Sequence, residues 1–170
     1  MEFRPMRRHR QELSPEACRE VLERATSGVL ALVGDEGYPY AVPLSYALDG
    51  DRIIFHSARE GHKIDAIARC PKASFCVVDQ DDVHPAEFTT YYRSVIAFGR
   101  MRVIEDDVER RAAAELLGRR YGPNLPDTAC EEEINRFWSG FCMLELRIDH
   151  LSGKQARELM PPRAKIYAFA

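Results

Sequence analysis

The spacing of apolar positions along the chain changes several times, and each change marks an element. Ser14-Pro15-Glu16-Ala17 supplies an N-cap, a proline at the first helical position and an acidic first turn. A helix is predicted from there to near Ser27-Gly28, with Val21, Leu22 and Ala25 facing the core. Val29 to Val33, Tyr40 to Ala47 and Ile53 to His56 then read as three successive antiparallel strands, a β-meander, with turns at Gly34-Asp35-Glu36-Gly37 and Asp49-Gly50-Asp51. From Gly61 to Cys70 the spacing of Ile64, Ile67 and Ala68 is helical, and Pro71 stops the helix before a strand at Ala73 to Val78.

The polar segment Asp79 to Glu87 reads as a loop, and Tyr92 to Ile104 as a long strand with a bulge at Gly99. Asp106 or Asp107 caps a helix through about Tyr121, with Val108, Ala112, Leu116 and Leu117 on one face and Gly122-Pro123 ending it. A shorter helix is expected over Glu131 to Phe137. Cys142, Leu144, Leu146 and Ile148 then alternate with Met143, Glu145, Arg147 and Asp149, the pattern of a strand buried on one face. About six antiparallel strands with peripheral helices predict a mainly β protein built as a small barrel.

Length and composition narrow the class. The 170 residues contain no Ser/Gly/Pro-rich linker and are read as one domain, 1–170, with residues 1–13 extended or mobile and 155–170, including Pro161-Pro162, a C-terminal tail. Hydrophobic content of 45%, charged content of 30% and a net charge of -3 describe an ordinary globular chain, so no nucleic acid is expected as partner. Apolar runs are too short to cross a bilayer and the N-terminus lacks a signal-peptide pattern, which implies no membrane and a cytoplasmic location. Cys18, Cys70, Cys76, Cys130 and Cys142 form no CxxC pair, and the histidines make no metal spacing. Reduced thiols and no metal site are expected.

The segment most informative about chemistry is Phe55-His56-Ser57-Ala58-Arg59-Glu60-Gly61-His62-Lys63, where a strand passes through a small polar loop into a helix. Helix starts carry unpaired N–H groups and partial positive charge, and Ser57, Arg59 and Lys63 add a hydroxyl and two cations, a set suited to a terminal phosphate. The plainer reading is that Ser57 caps the helix while the cations are solvated. His56 has the residue type for proton transfer, hydrogen bonding to a ligand or metal ligation, with a structural role as the alternative. Pro43 within Ala41-Val42-Pro43-Leu44-Ser45-Tyr46 favours an edge strand or bulge whose free backbone groups can bond a planar heterocycle.

Taken in order, Met6-Arg7-Arg8, Gly28-Val29-Leu30-Ala31-Leu32, Tyr38 through Tyr46, Ile54-Phe55-His56-Ser57-Ala58, Gly61-His62-Lys63, Tyr92-Arg93-Ser94-Val95 and Ser152-Gly153-Lys154 resemble the nitroimidazole-resistance branch of the FMN-binding split-barrel proteins related to pyridoxamine 5'-phosphate oxidase. The resemblance covers most of the chain through Lys154. It implies a split β-barrel and a homodimer with FMN, or FAD, at the subunit interface. Val42, Pro43, Leu44 and Tyr46 would then approach the isoalloxazine and His56, Ser57 and Lys63 the ribityl phosphate end, with Arg93 and Ser94 contributed from the partner's strand. It further implies electron transfer from NAD(P)H to a small-molecule acceptor such as a nitroimidazole, with His56 as the catalytic candidate. The arginine-rich substrate segment of true pyridoxamine-phosphate oxidases is missing, Arg157 and Arg163 being poor substitutes. Two other readings stand beside this one: a haem-binding or haem-handling split barrel using His56 or His62 as axial ligand, and a non-catalytic flavin-binding module.

Overall fold

A computed structural model describes residues 3–160; Met1-Glu2, the Pro161-Pro162 pair and Arg163 lie outside the described residues. Seven antiparallel strands form one sheet: β1 (Ser27–Val33), β2 (Pro39–Ser45), β3 (Ala47–Asp49), β4 (Arg52–Ala58), β5 (Lys72–His84), β6 (Thr89–Ile104) and β7 (Phe141–Gln155). Their order is β2-β1-β5-β6-β7-β4-β3. Four α-helices surround them: α1 (Pro15–Arg24), α2 (His62–Arg69), α3 (Asp107–Tyr121) and α4 (Asp127–Phe137). This is the expected split barrel, with seven strands in place of about six.

The extra strand comes from a break at Tyr46. The expected strand Tyr40 to Ala47 leaves its partner β1 after Ser45 and rejoins the opposite end of the sheet as β3, paired only with β4. No meander forms. The Tyr121 hydroxyl holds the break, accepting from the Tyr46 N–H at 3.0 Å and lying 2.8 Å from the Tyr46 carbonyl, to which it can donate. β2 remains an edge strand, as Pro43 requires.

Two apolar clusters occupy opposite faces of the sheet. Inside the barrel, Leu30, Phe55, Phe75, Val77, Leu144 and Leu146 pack with Val21 and Leu22 of α1 and Ala66 and Ile67 of α2. Outside, Ile54, Ile104 and Met143 lie beneath Ala113, Ala114 and Leu117 of α3 and Ile134 of α4. Burial of a large aliphatic side chain contributes about 1.5–3 kcal/mol, so both clusters are principal sources of stability.

Helix coverage explains several departures from the sequence pattern. Met143 and Glu145 are buried, against the expected alternation, because α3 covers their face. Glu145 lies 3.0 Å from Arg52 and 2.9 Å from Arg102, and both arginines also bind Glu109 of α3. The buried row of α3 is Arg110, Ala113, Ala114 and Leu117, whereas Val108 is 80% exposed and Ala112 also faces out. Arg110 is drawn inward by a hydrogen bond to the Trp138 carbonyl and by stacking 3.6 Å from the Trp138 ring centroid. Ala66 rather than Ala68 accompanies Ile67 on the buried face of α2, and α4 begins at Asp127, four residues earlier than expected, behind Pro126.

The polar segment Asp79 to Glu87 is mostly strand, since β5 continues to His84 and pairs there with Thr89–Tyr92 of β6. Ladder hydrogen bonds need only backbone groups, so exposed Asp81 and Asp82 do not prevent pairing. The register shifts at Gly99 as expected, but the extra residue is Asp149 of β7; Gly99 supplies the close approach, since a Cβ there would meet the Arg147 carbonyl oxygen at 2.0 Å. The opening segment, expected to be extended or mobile, is docked: Phe3 stacks on His150 and the Leu13 N–H donates to the Gly153 carbonyl at 2.9 Å.

Candidate functional site

β4 divides the predicted site residues between its faces. His56 points outward and is exposed, while Ser57 points into the barrel and is 7% exposed. Ser57 is therefore a strand residue and not the α2 cap. No side chain caps α2; Gly61 occupies that position at φ 122°, a conformation open chiefly to glycine. The Ile64 and Asp65 N–H groups both reach the Gly61 carbonyl, leaving the His62 and Lys63 N–H groups as the orphan donors of the first turn.

Cys142 lies across the ladder from Ser57, and its thiol donates to the Ala58 carbonyl at 3.3 Å. The positive charges of Arg59, Lys63 and Arg110 all act on this thiol, so the start of α2 lies within electrostatic reach of the residue paired with Ser57. Burial raises the Cys142 pKa, and these cations oppose that rise. Lys63 is partly buried with no ion pair or side-chain hydrogen bond among the described residues, and burial lowers its pKa. A cation withdrawn from water without an anion beside it fits a phosphate-holding role.

The edge strand β2 adjoins this neighbourhood, because the Tyr40 ring stacks on His62 at 4.1 Å between centroids. Val42 and Leu44 share Tyr40's inward face and pack against the barrel core, while Pro43 and Ser45 face outward. Tyr46 does not join them. Its side chain is fully buried, its ring meets Phe75 edge-on at 4.9 Å, and its hydroxyl donates to the Leu22 carbonyl at 2.7 Å. The ring therefore has no surface left for an isoalloxazine.

On the outer face, Ser45 and His56 open onto a cleft of about 620 Å³ between the sheet and helices α3 and α4. Leu117, Ile134, Phe137 and Met143 make its walls largely apolar. The helical half of this cleft is not readable from single residues; the one local signal is the spacing of Ile134 and Phe137 on α4. Arg93 and Ser94 lie on β6, two strands from β4 in the sheet order. Arg93 is held 3.5 Å from Asp79, which Arg24 also binds, and 3.3 Å from the Gln155 side chain. Within one chain these two residues do not meet His56 or Lys63.

The remaining outer face of the sheet is apolar and uncovered. Val29, Val33 and Val78 are 40%, 46% and 61% exposed, and Pro39, Ala41 and Pro43 are exposed beside them on β2. Register places Pro43 opposite Val29 and Cys76 on its other side, making one contiguous patch. Among the described residues no three His, Cys, Asp or Glu side chains gather as metal ligands, and no helix is long and apolar enough to cross a membrane.

Residues 14–155 match the pyridoxamine 5'-phosphate oxidase family. The chain belongs to this family. A candidate 5-nitroimidazole antibiotic resistance protein from Bacteroides thetaiotaomicron shares the fold at 21% identity and a TM-score of 0.68, over 84% of this chain and 85% of its own. The FAD and heme binding protein from Mycobacterium smegmatis is 27% identical with a TM-score of 0.71, over 91% of this chain and 77% of its own. The flavocytochrome Anf3 from Azotobacter vinelandii is 18% identical with a TM-score of 0.72, over 95% and 76% of the two chains. No curated protein sequence matches. Every residue of the β4–α2 element and of the His56 cleft lies inside the span matched to the pyridoxamine 5'-phosphate oxidase family.

Proposed function

We propose that the chain is an FMN-dependent oxidoreductase that works as a homodimer. The observation carrying this reading is the α2 start, where no side chain caps the first turn and Lys63 is partly buried with no ion pair among the described residues, the combination that suits one phosphate. Lys63 and the α2 amides hold the phosphate end, and the backbone of Val42, Pro43 and Leu44 on the free edge of β2 faces the ring system. Bound flavin supplies the transfer of electrons between a reduced nicotinamide and an acceptor. His56 on the cleft wall positions the acceptor or delivers a proton to it, and the apolar α3 and α4 residues exclude water. Family membership and the FAD named for the Mycobacterium smegmatis protein support a flavin as the cofactor.

The second subunit covers the apolar face of β2, β1 and β5, since contiguous exposed apolar surface of this kind marks an interface. A haem reading is the runner-up, favoured by one imidazole facing a largely apolar cleft. An absorbance spectrum of the purified protein separates the two. A flavin spectrum bleached anaerobically by NADPH or NADH and restored by a nitroimidazole is expected; a Soret band lost in His56→Ala would establish haem instead. Bound flavin that exchanges electrons with neither donor nor acceptor would leave only a binding module.

A further inference from the structure

A second large cavity, of about 1110 Å³, shares no lining residue with the His56 cleft. Arg7, Arg8 and Arg10 of the opening segment, Arg157 beyond β7, and Thr90 and Tyr92 at the start of β6 line it. We propose that this cavity binds a small molecule carrying two adjoining phosphates, of the class of nucleoside diphosphates.

The charge of the cavity runs against that of the chain. The whole protein carries a net charge of -3, yet the lining includes four arginines and a single carboxylate, Glu158. That carboxylate is 3.5 Å from Arg157, whereas Arg7, Arg8 and Arg10 have no ion pair or side-chain hydrogen bond among the described residues. Like charges gathered around one cavity repel one another, and a polyanion between them removes the repulsion. Guanidinium groups present paired N–H donors that match phosphate oxygens, and four of them suit two phosphates better than one.

The cavity is framed by fixed backbone. Gln11 N–H donates to the Arg8 carbonyl at 2.9 Å, Glu12 bridges to Lys154, and Leu13 is tied to Gly153. On the opposite wall, Ala156 N–H donates to the Tyr92 carbonyl at 2.8 Å. The Tyr92 ring offers an aromatic face, with the Lys154 ammonium 5.4 Å from its centroid. A polynucleotide reader spreads its cations along a face, whereas these surround one cavity. The site is independent of the flavin reading.

Isothermal titration of the full chain at low ionic strength with ADP, inorganic pyrophosphate and adenosine tests the proposal. ADP and pyrophosphate should each bind once per chain, adenosine should not, and affinity should fall as salt rises. The double variant R7A/R8A and, separately, Arg157→Glu should weaken ADP binding by about ten-fold or more. Lys63→Ala should leave it unchanged. If either arginine variant fails to fold, as judged by its circular dichroism melt, the other carries the test. Absent binding, unchanged affinity in the arginine variants, or loss confined to Lys63→Ala would overturn the proposal. So would a single-stranded oligonucleotide that binds more tightly than ADP.

Discussion

A buried tyrosine hydroxyl needs an acceptor, and Tyr46 has one in the Leu22 carbonyl, tying the break between β2 and β3 to α1. Burial pushes its phenol pKa well above the ordinary value, so the group stays protonated and donating throughout the working pH range. Tyr46→Phe should therefore cost about 1 kcal/mol of stability in urea unfolding and leave flavin affinity unchanged. A loss of flavin with unaltered stability would return Tyr46 to the cofactor site. His56 has the opposite character, since it is exposed at the cleft and holds no packing role. His56→Gln should keep the flavin spectrum and the melting temperature but slow reoxidation by a nitro compound, by about ten-fold or more if the imidazole transfers a proton. Stopped-flow absorbance reads the effect directly.

At the scale of elements, hydrophobic periodicity marks most strands and helices well, because one face of each is buried against a single layer. It fails where a second layer arrives from far along the chain. Met143 and Glu145 are covered by α3, and nothing local to β7 announces that helix. The Asp81-Asp82 stretch is strand because it pairs with Tyr91 and Tyr92 across the β5–β6 hairpin, a condition its own polar sequence does not show. For the site, the start of α2 at Gly61-His62-Lys63 is legible locally, but the inward turn of Ser57, the packing of Tyr46 and the α4 wall of the cleft depend on tertiary contacts. One electrostatic tie between elements can be tested. Asp79 on β5 accepts from Arg24 of α1 at 2.6 and 2.5 Å and lies near Arg93 of β6, and the Arg24 bond is the first cause of its lowered pKa. A carboxylate with a depressed folded pKa stabilises the fold above its unfolded pKa, about 3.9, and that stability is lost as pH falls through the folded value. Asp79→Asn should destabilise the protein by about 1.5–3 kcal/mol at neutral pH. The gap from wild type should close under acid, and an equal gap at all pH values would refute the assignment.

For the whole molecule, the same sheet serves three environments: the barrel interior, the layer beneath α3 and α4, and the uncovered face of β2, β1 and β5. The last is where a second copy is expected. Val29→Lys places a charge at its centre without touching either core, because Val29 is already 40% exposed. The variant should fold normally, run as a monomer in light scattering and bind flavin more weakly. A dimer of unchanged mass would move the interface elsewhere. The central claim, that the α2 start holds the phosphate of FMN, is tested most directly by titrating FMN into flavin-stripped protein and following quenching of flavin fluorescence. The wild-type chain should bind one FMN per subunit, and Lys63→Ala should bind at least about ten-fold more weakly with no loss of melting temperature. Equal affinity in the two proteins, or no saturable FMN binding by the wild type, would contradict it.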